Sequence, residues 1–134
     1  MYSKSRITQT AATIAAIMGI EVPHSAEEAN DIIVKKALAA LPEGVSAYDR
    51  VLMYNPDAAM HKNAPEHELS LAALQKNSND FAALVDEVST AWAGHNIFYG
   101  FCPDHGCHEI DGGAGSHGLD MDEDMNIIHM YGWQ

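Results

Sequence analysis

The sequence predicts an α/β fold with a small, partly parallel β-sheet flanked by helices. Strand-prone and helix-prone segments alternate along the second half of the chain, which is the order of a layered α/β sheet. The clearest strand, at 97–102, is apolar throughout, as in a strand that is covered on both faces. The chain has 134 residues, enough for one domain and too few for two, so we predict a single domain over 1–134.

Two helices are predicted in the first third of the chain. Residues 8–18 are mostly apolar, and Gly19 follows them as a helix-ending residue. Ser25 and Glu28 have the spacing of a capping box, which predicts the start of a second helix. The Pro-Glu-Gly sequence at 42–44 then ends this helix.

The rest of the chain predicts three strands, one long helix and a loop. The long helix opens at Pro65, and its apolar stripe ends near 92–94. Turn residues bound each of the short β-prone runs. The other predicted elements are strands at 50–54, 97–102 and 126–131 and a glycine-rich loop at 104–118.

Charge and composition limit the class of partner. The net charge of −12 with neutral histidines repels phosphate backbones and anionic lipids, so we predict no nucleic-acid or membrane partner. Lys4 and Arg6 followed by the apolar run at 11–20 have the order of charged and apolar segments found in a signal peptide. However, threonines interrupt the run, and no small-residue cleavage site follows it. We therefore expect a folded helix in a cytoplasmic protein, with Cys102 buried and Cys107 a free thiol.

Carboxylates and imidazoles follow the ends of two predicted strands. Asp57 and His61 come after the strand at 50–54, and Asp104 and His105 follow the strand at 97–102. Because ligands gather at the carboxyl ends of strands in such sheets, we expect these side chains to lie close together. His117, in a Gly-Ser-His-Gly context, is able to fold back over them. Oxygen and nitrogen ligands suit Zn²⁺ or Mn²⁺, so the sequence predicts a divalent-metal site.

Other polar residues near this site have less specific interpretations. His108, Glu109 and Asp111 are able to orient the metal ligands through hydrogen bonds. The acidic run at 120–124 lacks the central glycine and the spaced glutamate of a calcium loop, so we expect a solvated turn. For His129, a packed core position and a functional one both stay open. Three further histidines are expected to be surface or capping residues: His24, His67 and His95.

Three segments in this order resemble the alkaline-phosphatase-like superfamily, most closely its nucleotide pyrophosphatase/phosphodiesterase branch. Residues 57–66, Asp-Ala-Ala-Met-His-Lys-Asn-Ala-Pro-Glu, resemble the D-x-x-x-H-x-x-G-P-E signature of that branch, with Ala64 in place of the usual glycine. Residues 104–106 resemble its D-H-G element, and residues 117–120 resemble its H-G-x-D element. The resemblance covers roughly the second half of the chain.

The resemblance implies a hydrolase of small phosphoesters or phosphodiesters with two divalent ions, Zn²⁺ or alternatively Mn²⁺. By similarity, Asp57, His61 and His117 would hold one ion, and Asp104 and His105 would hold the other. In such enzymes both ions stabilise negative oxygens while a serine or threonine hydroxyl attacks phosphorus.

The chain departs from this family in two respects. A further aspartate for the second ion and the segment that carries the nucleophile have no counterpart here, as in a member without its middle part. Ser116, nearest the site in sequence, and Thr10, Thr8 or Thr13 are candidate nucleophiles that no family motif supports. The alternative function is therefore a non-catalytic metal-binding remnant or an interaction subunit. A sheet that lacks neighbours also exposes an edge, which favours self-association.

Overall fold

The computed structural model of the protein describes residues 6–22, 24–56, 68–110 and 114–134. Within these ranges the predicted α/β class is confirmed, because a mixed sheet and several helices succeed one another along the chain. A 3₁₀ turn at Ile7–Gln9 leads into the first helix. The elements are α1 (Thr10–Met18), α2 (Asp31–Ala39), β1 (Arg50–Tyr54), α3 (Glu68–Ala91), β2 (Ile97–Phe101), β3 (His108–Ile110), β4 (Ala114–Ser116), α4 (Asp122–Met125) and β5 (Met130–Trp133).

The main sheet has three strands in the order β1-β2-β5. β1 and β2 are parallel: the amide of Asp49 donates to the carbonyl of Asn96 at 3.2 Å, and the amide of Cys102 donates to the carbonyl of Tyr54 at 2.9 Å. All five residues of β2 are buried, which agrees with the apolar run that predicted a covered central strand. The strands predicted at 50–54 and 97–102 are thus confirmed.

The last strand lies further along the chain than predicted. The sequence placed it at 126–131, whereas β5 is Met130–Trp133. Ile97 and Gln134 exchange both backbone hydrogen bonds, at 2.8 and 2.9 Å, so β5 runs antiparallel to β2. This long-range pairing sets the position of β5, and no local pattern in the sequence reports it.

The glycine-rich segment predicted as a loop at 104–118 contains a small hairpin. β3 and β4 pair antiparallel, with His108 opposite Ser116 and Ile110 opposite Ala114. The prediction of a continuous loop was wrong for these residues. Strands of three residues are too short to show the alternation of apolar and polar residues that would have indicated them.

The chain divides into two compact units, and each is built from segments that are distant in sequence. The first unit comprises Met1–Leu52, Trp92–Tyr99 and Gly132–Gln134, and the second comprises Met53–Ala91 and Gly100–Tyr131.

Tyr48 organises the core of the first unit. Its hydroxyl donates to the carbonyl of Ala37 in α2 at 2.8 Å, and its amide donates to the carbonyl of Ile17 in α1 at 2.9 Å. Its ring lies edge-on to Phe98 with centroids 5.8 Å apart. One residue, through its amide, hydroxyl and ring, therefore joins both helices to strand β2. The buried apolar residues of this unit include Ala12, Ala15, Ile17, Ala37, Ile97 and Phe98.

α1 ends where the sequence predicted, but α2 begins later. Gly19 ends α1 in the left-handed conformation with φ of 64°, which favours glycine. The predicted capping box of Ser25 and Glu28 does not start α2. Instead Asn30 is the N-cap, and its side-chain oxygen accepts hydrogen bonds from the first turn of the helix. The amide of Asn30 in turn donates to the hydroxyl of Thr13 in α1 at 2.9 Å.

The second unit contains an aromatic cluster. The rings of Tyr54, Phe81 and Phe101 lie with centroids 5.4–5.8 Å apart, which joins α3 to the ends of β1 and β2. Beside them Gly100 leaves room for the thioether of Met53: a Cβ at position 100 would lie 2.6 Å from its sulfur. β2 therefore approaches β1 closely just before the loop that carries the predicted metal ligands.

α3 ends at Ala91, close to the predicted end near 92–94. The predicted opening of this helix at Pro65 lies outside the described residues. Among the helices that the structure describes, none combines the length and apolarity that crossing a bilayer requires.

Candidate metal centre

Three of the five predicted metal ligands lie in described parts of the chain. Asp104 and His105 follow the carboxyl end of β2, and His117 follows the end of β4 directly. Asp57 and His61 lie outside the described residues. Of the predicted set, the structure thus describes the surroundings of Asp104, His105 and His117 alone.

These three residues lie close together. The imidazole rings of His105 and His117 are stacked, with centroids 4.1 Å apart and an interplanar angle of 18°. Asp104 Oδ2 lies 3.7 Å from His105 Nε2, and Asp104 Oδ1 accepts a hydrogen bond from the His105 amide at 3.0 Å. His117 therefore lies next to His105 although 12 positions separate them in the sequence, as the metal-site hypothesis requires.

A hydrogen bond to the backbone sets the tautomer of His105. Its Nδ1 lies 2.7 Å from the carbonyl oxygen of Gly106. A carbonyl oxygen only accepts, so Nδ1 carries the proton in the neutral ring and Nε2 carries the lone pair. Metal-binding histidines are commonly held in this way, with one nitrogen donating to a carbonyl and the other directed at the cation.

The distance between Asp104 and His105 is close to what a shared cation requires. Two ligand atoms each about 2.1 Å from a tetrahedral Zn²⁺ lie roughly 3.4 Å apart, and the observed separation of Oδ2 and Nε2 is 3.7 Å. The stacked ring of His117 must turn to direct a nitrogen at the same point, because ring lone pairs lie in the ring plane. Among the residues that the structure describes, no three His, Cys, Asp or Glu side chains form a ready metal-binding group.

Asp124 and His108 form a buried pair next to this cluster. Only 2% of Asp124 and 6% of His108 is exposed, and His108 Nδ1 lies 2.9 Å from Asp124 Oδ1. Burial would raise the pKa of Asp124, but hydrogen bonds from His108 and from the Leu119 amide lower it below its usual range. The prediction of a solvated acidic turn at 120–124 was therefore wrong for Asp124. No local signal identifies this residue, because its partner is 16 positions away in sequence.

His129 and Cys102 form a second polar group beside the site. His129 Nε2 donates to the carbonyl of Pro103 at 3.2 Å, and the Tyr131 hydroxyl donates to His129 Nδ1 at 3.3 Å. Burial lowers the pKa of His129, and the Pro103 hydrogen bond only partly opposes this. Burial raises the pKa of the Cys102 thiol to about 11, with a hydrogen bond to Tyr131 acting in the opposite direction. His129 thus has a structural partner, and Cys102 is buried as predicted.

The remaining predicted site residues have varied surroundings. Ser116 ends β4 and is half-buried. Thr10 begins α1, in the other compact unit, and its hydroxyl is buried without a hydrogen bond. Thr13 is buried and uses its hydroxyl within the fold, donating to Gln9 at 2.8 Å. Asp111 lies outside the described residues, as does His67.

Two of the histidines expected at the surface are described. His24 is exposed. His95 Nδ1 lies 2.8 Å from Asp49 Oδ2, at the starts of β2 and β1. This hydrogen bond lowers the pKa of Asp49, and burial opposes the effect only in part. His95 is therefore a partly exposed structural residue.

No protein-family model, curated protein or solved structure matches this chain. The fold class and the grouping of Asp104, His105 and His117 come from the structure, whereas the family resemblance depends on the sequence motifs.

Proposed function

We propose that this protein binds divalent metal ions, Zn²⁺ or Mn²⁺, and hydrolyses small phosphoesters or phosphodiesters. The observation that carries this proposal is the facing of Asp104 Oδ2 and His105 Nε2 at 3.7 Å, with His105 Nδ1 bonded to a backbone carbonyl. The imidazole of His117, stacked on His105 with centroids 4.1 Å apart, supplies a third nitrogen donor near this pair. The sequence motifs add Asp57 and His61, so five ligands would serve two ions.

The chemistry follows from the charge of such a centre. Divalent ions, when bound, supply positive charge that stabilises the oxygens of a phosphoryl group. Asp104 and the imidazoles of His105 and His117 would hold the ions through their oxygen and nitrogen atoms. The net charge of −12 repels an anionic substrate, and bound divalent ions would offset this repulsion at the site. A small phosphorylated molecule is the substrate class, and nucleic acid and membranes are not proposed partners.

The second candidate function is a metal-binding module without catalysis. It is favoured by the surroundings of the threonine hydroxyls that were candidate nucleophiles. Thr13 uses its hydroxyl within the fold, and the hydroxyl of Thr10 is buried away from any substrate. Among the candidate nucleophiles in the described ranges, Ser116 alone is adjacent in sequence to a proposed metal ligand, His117. A module of this kind would act by pairing with a complete copy of the enzyme or with itself.

The test is metal binding followed by hydrolysis. Titration calorimetry with Zn²⁺ and Mn²⁺ measures the number and affinity of bound ions, and nitrophenyl phosphate and bis-nitrophenyl phosphate report turnover. We expect His105→Ala and His117→Ala to weaken binding by at least the ~10- to 100-fold typical of disturbed metal sites. His24→Ala is the matched control, because His24 is exposed and outside the cluster.

The outcomes separate the two functions. Two bound ions with turnover that disappears in His61→Ala support the hydrolase. Bound metal without turnover supports the module. Wild-type protein that binds neither ion refutes both, and so does equal affinity in the His24→Ala, His105→Ala and His117→Ala variants.

A further inference from the structure

Asp124 makes hydrogen bonds to the two chain segments that carry His105 and His117. Its carbonyl oxygen accepts from the amide of Gly106 at 2.8 Å, one residue after His105. Its Oδ2 accepts from the amide of Leu119 at 2.8 Å, two residues after His117. Asp124 therefore holds both segments at once, from a position in α4.

The second carboxylate oxygen of Asp124 reaches the hairpin between these segments. Oδ1 lies 2.9 Å from His108 Nδ1, and His108 is opposite Ser116 in the antiparallel pair of β3 and β4. Ser116 directly precedes His117. The path from His105 to His117 thus runs through a hairpin whose first residue is fixed by Asp124.

The pair is able to act as a rigid support because it is buried. The side chain of Asp124 is 1% exposed and that of His108 is 5% exposed. Both carboxylate oxygens of Asp124 have partners, so a change of position would leave a buried charge without a hydrogen bond, which is strongly unfavourable. Neighbouring Asp122 in the same helix is exposed.

We propose that Asp124, through His108 and Leu119, is the positioning residue that brings His105 and His117 together to bind a divalent cation. The cation-binding part of this inference rests on the proposed function. The arrangement of the two rings does not, because it is a property of the metal-free protein. Asp124 itself would not contact the ion.

Asp124→Ala tests this proposal, with Asp122→Ala as the matched control. Alanine removes both carboxylate oxygens, so the bonds to His108 and to the Leu119 amide are lost, whereas the backbone carbonyl that accepts from Gly106 stays. In the metal-free protein, nuclear Overhauser effects between the ring protons of His105 and His117 report the stack. We expect Asp124→Ala to lose these effects and to weaken Zn²⁺ binding by roughly 10- to 100-fold. Asp122→Ala should keep both at the wild-type level.

His108 provides a second pair of variants. The side-chain amide of asparagine places a donor close to the position of imidazole Nδ1, so His108→Asn should preserve the bond to Asp124 Oδ1, whereas His108→Ala removes it. We expect the ring contact and Zn²⁺ affinity to survive in His108→Asn and to fall in His108→Ala. Circular dichroism and thermal melting show whether each variant is folded. A variant that loses only the ring contact should keep the wild-type circular dichroism spectrum.

The results distinguish this proposal from the proposed function. If wild-type protein binds no Zn²⁺, the metal function fails, and the ring contact in the variants still decides the positioning role. If folded Asp124→Ala or His108→Ala keeps the wild-type ring contact and affinity, the positioning role of Asp124 is refuted.

Discussion

Replacing Gly100 by alanine places a methyl group where β2 lies against the side chain of Met53 in β1. The added Cβ would lie 2.6 Å from Met53 Sδ and 2.7 Å from Met53 Cε, and 3.5 Å from Cys102 Sγ. Ordinary contacts between non-bonded heavy atoms are about 3.5–4.0 Å, so the methyl overlaps the end of Met53 by about 1 Å. Either Met53 changes rotamer or the two strands separate.

The cost follows from what has to move. Inserting a methyl into a packed interior typically costs about 1–3 kcal/mol. The atoms in the way are the end of a flexible thioether, which adapts better than a branched side chain or the backbone. We therefore expect Gly100→Ala to lower the free energy of unfolding by about 1–2 kcal/mol, which for a chain of this size lowers Tm by roughly 4–8 °C.

Urea and thermal unfolding followed by circular dichroism measure this change. Gly132→Ala in β5 is the matched control, because a Cβ there would meet nothing within 4 Å, and it should change stability by less than about 0.5 kcal/mol. In a Met53→Ala background, the cost of Gly100→Ala should nearly disappear, giving a coupling energy of about 1–2 kcal/mol. Equal costs for Gly100→Ala and Gly132→Ala, or a cost that Met53→Ala leaves unchanged, would refute the described packing of β1 and β2.

Three further outcomes are expected. The pKa of Cys102 is raised to about 11. At pH 8 its thiolate fraction should therefore be about 0.4% of that of an ordinary thiol with a pKa of ~8.5. In a Cys107→Ser variant, where Cys102 is the remaining thiol, a thiol reagent should react roughly 200-fold more slowly with the native than with the denatured protein. A comparable rate in both states would contradict the burial of Cys102. Asn30→Ala should cost about 1 kcal/mol of stability in urea unfolding through loss of the α2 cap, whereas Ser25→Ala should cost almost nothing; the reverse order would restore the capping box as the helix start. The lowered pKa of His129 means that the folded protein binds this proton less readily than the unfolded chain, so stability should fall as pH decreases from about 6.5 through the lowered pKa. His129→Gln should reduce this fall in melts between pH 7 and 5, and an unchanged pH dependence would count against the burial of His129.

The parts of the fold that the sequence predicts correctly depend on local patterns. α1 ends at Gly19 because the left-handed conformation there suits glycine, and β2 is recognisable because a covered parallel strand is apolar throughout. The prediction of where α2 begins was wrong for a physical reason. Ser25 and Glu28 satisfy a local rule, but Asn30 also receives support from Thr13 in α1, 17 positions away.

The candidate site shows the same division between local and long-range information. Strand ends predicted that Asp104 and His105 would project from one edge of the sheet, and the structure brings His117 to the same place. The burial of Asp124 could not be predicted, because a run of acidic residues normally faces water. Its burial depends on His108 and on two backbone amides, whose positions become known only with the fold.

The hydroxyl of Thr13 limits how this sequence is able to vary. It donates to the carbonyl of Gln9 and accepts from the amide of Asn30, so one atom completes a helix turn and anchors the cap of the next helix. Valine has the same shape but would leave the buried amide of Asn30 without this partner. Natural variants of this chain should therefore carry serine or threonine at position 13, and those that lose the hydroxyl should also change position 30.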